Sequence, residues 1–291
     1  MMRVSGRWLA AAILLVPIAA RADDPALCAA PPGGVPIIAP LAHFAARVSE
    51  GGPLTIVAVG SSSTAGVGAS RPDLAYPNRL AVALRQLLLP QRDIRVVNRG
   101  KGGEDAPEEL ARLGADVVAE HPDLAIWQVG TNAVLRRDDL GADGEWLREG
   151  IDLLKRNGID VVLMDLQYAP RVLERRAYST MEDLVADTAD GEHVGLFHRF
   201  ALMRYWQGSH AADAPPMIGA DGLHMTDIGY ECLAADLAKA LVANWRAETK
   251  FARRAHGASA AIAGLPAQTA TGADGPRPAV EMRRNDAIPF N

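Results

Sequence analysis

Leu54-Thr55-Ile56-Val57-Ala58-Val59-Gly60-Ser61-Ser62-Ser63-Thr64-Ala65-Gly66 is the stretch from which the fold of this chain is read. Its first six residues form a near-continuous apolar run rich in β-branched side chains, the pattern of a strand buried on both faces. The residues that follow are small. They allow a tight strand-to-helix turn in which a serine hydroxyl stands clear of the backbone. One of Ser61, Ser62 and Ser63 is therefore a candidate nucleophile.

Four more apolar runs follow, over 94–98, 124–129, 159–166 and 193–197. Helical patterns precede, separate and follow them, over 40–48, 77–89, 106–120, 139–157, 175–190 and 226–249. Several carry boundary signals. Asp105 stands as N-cap with Pro107 in the first turn, Gly158 closes the 139–157 helix, and Thr226 caps the last one. Strand–helix alternation with apolar strands predicts an α/β fold: a flavodoxin-like three-layer sandwich around a five-stranded parallel sheet in the order 2-1-3-4-5. The sequence divides into a leader at 1–22, an N-terminal extension at 23–35, one domain at 36–250 and a polar, Ala/Gly/Pro-rich tail at 251–291, expected to be disordered.

In an open parallel sheet, sites form beyond the carboxyl ends of the strands. Three chemistry-bearing segments follow predicted strands. The first is the serine turn. The second is Asn98-Arg99-Gly100-Lys101-Gly102-Gly103-Glu104-Asp105, whose glycines let backbone N–H groups approach a ligand. The third is Gln128-Val129-Gly130-Thr131-Asn132, where an asparagine amide either donates to a developing oxyanion or merely serves a turn. A fourth, Asp221-Gly222-Leu223-His224, lies in the loop after the last strand and pairs a histidine base with a carboxylate. His121, His193, His198 and His210 have no carboxylate at this spacing in such a loop. The serine turn has neither a Gly-x-Ser-x-Gly elbow nor a nucleotide-binding glycine pattern. Nothing in the sequence demands a zinc site or any cofactor.

Taken together, the four segments resemble the SGNH (GDSL-type) hydrolases, from the first strand to the last helix. The resemblance implies Ser62 as nucleophile, from Gly60-Ser61-Ser62-Ser63-Thr64 matched to the Gly-Asp-Ser-Leu block. It implies Gly103 as a backbone oxyanion donor beside the Ser62 N–H, Asn132 as the side-chain donor, His224 as base and Asp221 as its partner. The chain departs from the family block at Ser61, where the family has Asp, and at Ser63, where it has Leu. An Asp is also frequent where Ala133 stands. The implied reaction is carboxylic ester hydrolysis through an acyl-serine, on a small-molecule or glycan ester such as an acetylated carbohydrate or a lipid-derived ester. Two other readings are an acyltransferase on the same triad and a non-catalytic carbohydrate-binding protein that keeps the fold. Tyr168-Ala169-Pro170, Tyr205 and Trp206 are either pocket walls or buried structural residues.

The net charge of -5 argues against nucleic acid or an anionic membrane as partner. Arg3 and Arg7, the apolar run 9–20 and Ala20-Arg21-Ala22 fit a cleavable export signal, with the mature chain starting at Asp23. That run is too short to favour a membrane span. Cys28 lies beyond it and lacks the small-residue context of a lipid-attachment site. A periplasmic or secreted location follows. There Cys28 and Cys232 either pair or remain one free thiol and one buried apolar residue.

Overall fold

In a computed structural model of the protein, residues 27–88, 92–137, 139–211 and 213–263 are described. The leader expected at 1–22 and the tail from 264 onward lie outside them. The first half of the chain runs through α1 (Ala42–Glu50), β1 (Leu54–Gly60), α2 (Ser62–Ala65), α3 (Tyr76–Leu87), β2 (Ile94–Gly100), α4 (Ala106–Asp116) and β3 (Leu124–Gln128). The second half comprises α5 (Thr131–Arg136), α6 (Asp143–Arg156), β4 (Asp160–Met164), α7 (Pro170–Leu173), α8 (Tyr178–Gly191), β5 (Gly195–Phe197), α9 (Arg199–Ser209) and α10 (Asp227–Ala263).

The strands pair in parallel in the order β2-β1-β3-β4-β5, as the apolar runs predicted. Side chains along each strand alternate between two cores. Ile56, Ala58, Ile126, Met164 and Phe197 face one core with Phe44 of α1, Leu84 of α3, Trp206 of α9 and Leu237 of α10. Val57, Val59, Trp127 and Leu163 face the other with Leu113 of α4, Ile151 of α6 and Val185 of α8. Burial on both faces is why these strands read as apolar runs rather than as alternating ones.

The predicted caps act as expected. Asp105 and Glu108 form a reciprocal capping box at α4, and Thr226 Oγ1 accepts the Gly229 N–H at the start of α10. Gly158 adopts φ +70° after α6, a conformation that favours glycine.

Three differences from the sequence reading stand out. The short helices α5 and α7 open directly at the site loops, where only turns were expected. The helix α9 was not anticipated between β5 and the histidine loop. Arg199, Leu202, Met203 and Trp206 are buried at i, i+3, i+4 and i+7, so the helix has one buried stripe; an arginine at its head obscures the apolar period in the sequence. The helix α10 continues to Ala263 rather than ending at Thr249 before a disordered tail. The added stretch, 251–263, holds alanines and arginines, which are strong helix formers, and no proline. Residues from Arg253 form a unit separate from the body at 27–252.

Residues 27–41 form an arm on the domain. Leu27, Ile37 and Leu41 are buried, and Asn244 of α10 donates to the carbonyls of Ile37 and Ala39. Cys28 and Cys232 are joined in a disulfide, which decides the pairing left open above. No helix among the described residues is long and apolar enough to cross a membrane.

Candidate active site

The nucleophile turn separates its three serines by their partners. Ser61 is buried, and both its N–H and its hydroxyl donate to Gln128 Oε1, at 3.2 and 3.1 Å. Thr64 Oγ1 donates to the same oxygen at 3.2 Å. Ser63 is also buried and donates to Gln167 Oε1 at 3.2 Å, an acceptor shared with Thr131 Oγ1. Ser62 is the half-buried one, and its Oγ lies 2.9 Å from His224 Nε2. Serines at 61 and 63 thus fill the departures from the family block with hydroxyls tied to two glutamines.

The histidine is held by its own loop. Gly222 takes φ +68° and turns the chain back, so that Asp221 Oδ1 accepts the N–H groups of Leu223 and His224, each at 3.0 Å. Asp221 Oδ2 accepts from His224 Nδ1 at 2.5 Å. An Nδ1–H directed at a carboxylate leaves Nε2 as the lone-pair nitrogen facing Ser62. Desolvation alone would raise the Asp221 carboxyl. The imidazole bond and the two backbone N–H donors outweigh it and hold the carboxyl at about 2. The loop is braced from behind by Gly219 N–H to His224 O and by a bridge between Ile218 and Met225.

Gly103 and Asn132 are brought to the same end of the sheet. A side chain at Gly102 would begin 3.9 Å from Ser62 Cβ, so the glycine loop lies against the nucleophile. Gly103 adopts φ +84°, which glycine accommodates without strain. Asn132, in the first turn of α5, donates one amide hydrogen to Glu104 O at 2.6 Å and retains a second. Among the described residues, neither the Ser62 N–H nor the Gly103 N–H has an acceptor within the protein. Donors of this kind beside an activated serine can stabilise a tetrahedral oxyanion.

Among the described residues, no other histidine meets Ser62. His198 Nδ1 lies 3.5 Å from Asp165, and His210 donates to Leu27 O. Tyr168 packs edge-on against Phe200 and, with Met203, Trp206 and Ile218, lines a cavity of about 290 Å³ beside the segment leading to the histidine loop. Among the described residues, no group of three or more His, Cys, Asp or Glu side chains is arranged to hold a metal ion.

Four residues escaped the sequence reading: Gln128, Gln167, Arg112 and Arg136. A glutamine ending an otherwise apolar, fully buried strand was a usable signal, since buried polar groups require partners. Arg112 gave only its helix partner Asp116, four residues on; its hold on the Gly60 and Arg99 carbonyls, like that of Arg136 on Gly103 O, joins parts of the chain that are distant in sequence.

Residues 27–247 match the sequence model of the non-GDSL lipase-like family. An arylesterase of Vibrio mimicus is 28% identical over 169 residues, 58% of this chain and 78% of that protein. Among solved structures, a two-domain esterase active on acetylated mannans superposes with a TM-score of 0.59 at 19% identity. The match covers 74% of this chain and 56% of that one, so the chain spans little more than half of that esterase. An acetylxylan esterase of Geobacillus stearothermophilus gives a TM-score of 0.53 at 22% identity, covering 65% of this chain and 95% of that one. At these identities the structural likeness is one of fold.

Proposed function

The chain belongs to the non-GDSL lipase-like family and is an ester hydrolase of the SGNH type, and from that premise we propose that it is an exported serine esterase acting on acetylated carbohydrate through an acyl-enzyme on Ser62. The hydrogen-bonded chain from Ser62 Oγ through His224 to Asp221 carries this reading.

In the proposed reaction, His224 Nε2 takes the Ser62 proton as Oγ attacks the acyl carbon. The carbonyl π pair moves onto oxygen, and the N–H groups of Ser62 and Gly103 and the Asn132 amide receive that charge. The imidazolium, stabilised by ionised Asp221, gives its proton to the departing alkoxy oxygen as the C–O bond breaks. Water then enters and loses a proton to His224. The second tetrahedral intermediate collapses to the free acid and restores Ser62. The residues that perform this chemistry need no cofactor.

The acetyl-carbohydrate assignment is supported by two relatives named for acetylated mannan and acetylxylan. Export is supported by the leader pattern at 1–22 and by the Cys28–Cys232 disulfide, a bond typical of oxidising compartments. The test is an ester panel of 4-nitrophenyl acetate, longer acyl homologues and acetylated xylan and mannan oligosaccharides. It is run with wild type and Ser62→Ala and paired with fluorophosphonate labelling. Wild type should release acetate from the oligosaccharides and label once, and Ser62→Ala should do neither. A labelled, active Ser62→Ala protein would refute the nucleophile. Preference for long acyl chains over acetyl would refute the substrate class.

A further inference from the structure

The two backbone donors assigned to the oxyanion sit on different loops. Ser62 follows β1 and Gly103 follows β2, so their spacing depends on whatever grips both loops. Resting on the esterase reading above, we propose that Arg112 is the positioning residue of the oxyanion hole, its guanidinium tying the nucleophile turn to the glycine loop.

Arg112 projects from α4 and its side chain is only 9% exposed. Nη2 donates to the carbonyl of Gly60, two residues before the nucleophile, at 3.2 Å. Nη1 donates to Arg99 O, at the entry to the glycine loop, at 2.7 Å. Nε donates to the Glu104 carboxylate, at the exit from that loop, at 2.5 Å. Asp116, one turn along α4, accepts from Nη1 at 2.9 Å and keeps the fork in place. The guanidinium is planar and rigid, so one side chain fixes three points on two loops at set distances from one another.

The surrounding contacts leave little freedom for another arrangement. The Lys101 N–H also donates to Gly60 O, at 2.9 Å. A Cβ at Gly100 would lie 2.1 Å from the Ala65 nitrogen, so the two loops are in direct backbone contact. From the other side, α5 holds the next two carbonyls: Arg136 donates to Gly103 O and Asn132 to Glu104 O. The carbonyls of Arg99, Gly103 and Glu104 are each held by a side chain, while the Gly103 N–H has no acceptor within the described residues and is left for the substrate oxygen. Oxyanion donors work over about 2.7–3.1 Å, and a shift of about 1 Å can cost on the order of 10²-fold in rate.

The test measures kcat and KM for 4-nitrophenyl acetate in the full chain, per active site counted by complete fluorophosphonate labelling. Arg112→Gln should lower kcat about 10- to 100-fold with KM within about threefold. Arg112→Lys should not restore it, because one ammonium cannot span Gly60, Arg99 and Glu104 together. Combined with Asn132→Ala, the loss should fall clearly short of the product of the single losses, since both act on one oxyanion hole. Wild-type kcat per site in Arg112→Gln, full recovery in Arg112→Lys, an effect confined to KM, or multiplicative losses would each overturn the proposal. If Arg112→Gln does not fold, Glu104→Gln takes its place. It should lower kcat about three- to tenfold, and an unchanged kcat there would overturn the proposal equally. Ser62→Ala separates the two readings. An active Ser62→Ala protein defeats the esterase mechanism, whereas a dead one beside wild-type Arg112 variants defeats only the positioning role.

Discussion

The hydroxyls of three adjacent serines meet three different environments, and that difference predicts three different mutants. Ser61→Ala removes a donor to Gln128, and Ser63→Ala removes one to Gln167. Both variants should keep fluorophosphonate labelling with reduced stability, because each leaves a buried glutamine oxygen with one donor fewer. Ser62→Ala should keep its stability and lose labelling altogether. Asn132→Ala should lower kcat by about 10²–10³ with little change in KM, the expected result of removing one preorganised oxyanion donor. A loss carried by KM alone would instead make Asn132 a ground-state binding group. The acid side of the pH profile follows from Asp221. A carboxyl held at about 2 stays ionised as pH falls, so Asp221 keeps its charge beside the base across the working range. Asp221 should therefore add no proton to the acid limb of the wild-type kcat/KM profile above pH ~3, and a second proton on that limb which disappears in Asp221→Asn would show that the carboxyl titrates there.

At the scale of elements, α4 does more than cover the sheet. Its Glu109 is fully buried against β3 and accepts the Trp127 indole N–H at 2.7 Å. Burial pushes the Glu109 carboxyl up to about 8, against the lowering effects of Trp127 and Arg112. The folded state therefore keeps a proton that the unfolded chain releases above its ordinary value of 4.5. Stability is lost as pH rises between those two values and levels off above the upper one. Glu109→Gln keeps the acceptor for Trp127 and cannot ionise. Its Tm relative to wild type should climb from about pH 5 to about pH 8 and then flatten. A Tm difference independent of pH would show that Glu109 is ionised in the folded protein. The same element presents Arg112 to the loops after β1 and β2, so α4 links the core beneath the sheet to the site at its carboxyl edge.

On the scale of the whole molecule, the disulfide joins positions 204 residues apart, fastening the N-terminal arm to α10. The arm also contributes buried Leu27, Ile37 and Leu41, and its carbonyls receive His210 and Asn244. None of these contacts involves Ser62, His224 or the glycine loop. The variant Cys28→Ser/Cys232→Ala should lose about 2–4 kcal/mol of stability, within the usual range for a native disulfide. Its kcat and KM at 25 °C should stay near wild type. A large loss of activity in the folded variant would mean that the arm helps to shape the site. Mass analysis of protein recovered from its host should find a chain starting near Asp23, and a retained Met1 would count against export by a cleaved leader.

The sequence by itself determined the sheet, its strand order and the places where chemistry had to gather. A parallel strand covered on both faces must be apolar along its length, and right-handed crossovers bring the loops after successive strands to one edge. Asp221 and His224 were legible as a pair because their contact is local, made within one turn. The block match pointed to Ser62, and the tertiary structure supplies the physical reason that Ser62, not Ser61 or Ser63, faces the histidine. The direction of each hydroxyl depends on Gln128 from the end of β3 and Gln167 from beyond β4, which are remote in sequence. The tertiary structure alone decided the cysteine pairing and the grip of Arg112 on two separate loops. Each of these rests on contacts between distant parts of the chain, and such contacts leave no period or spacing in the sequence to be read.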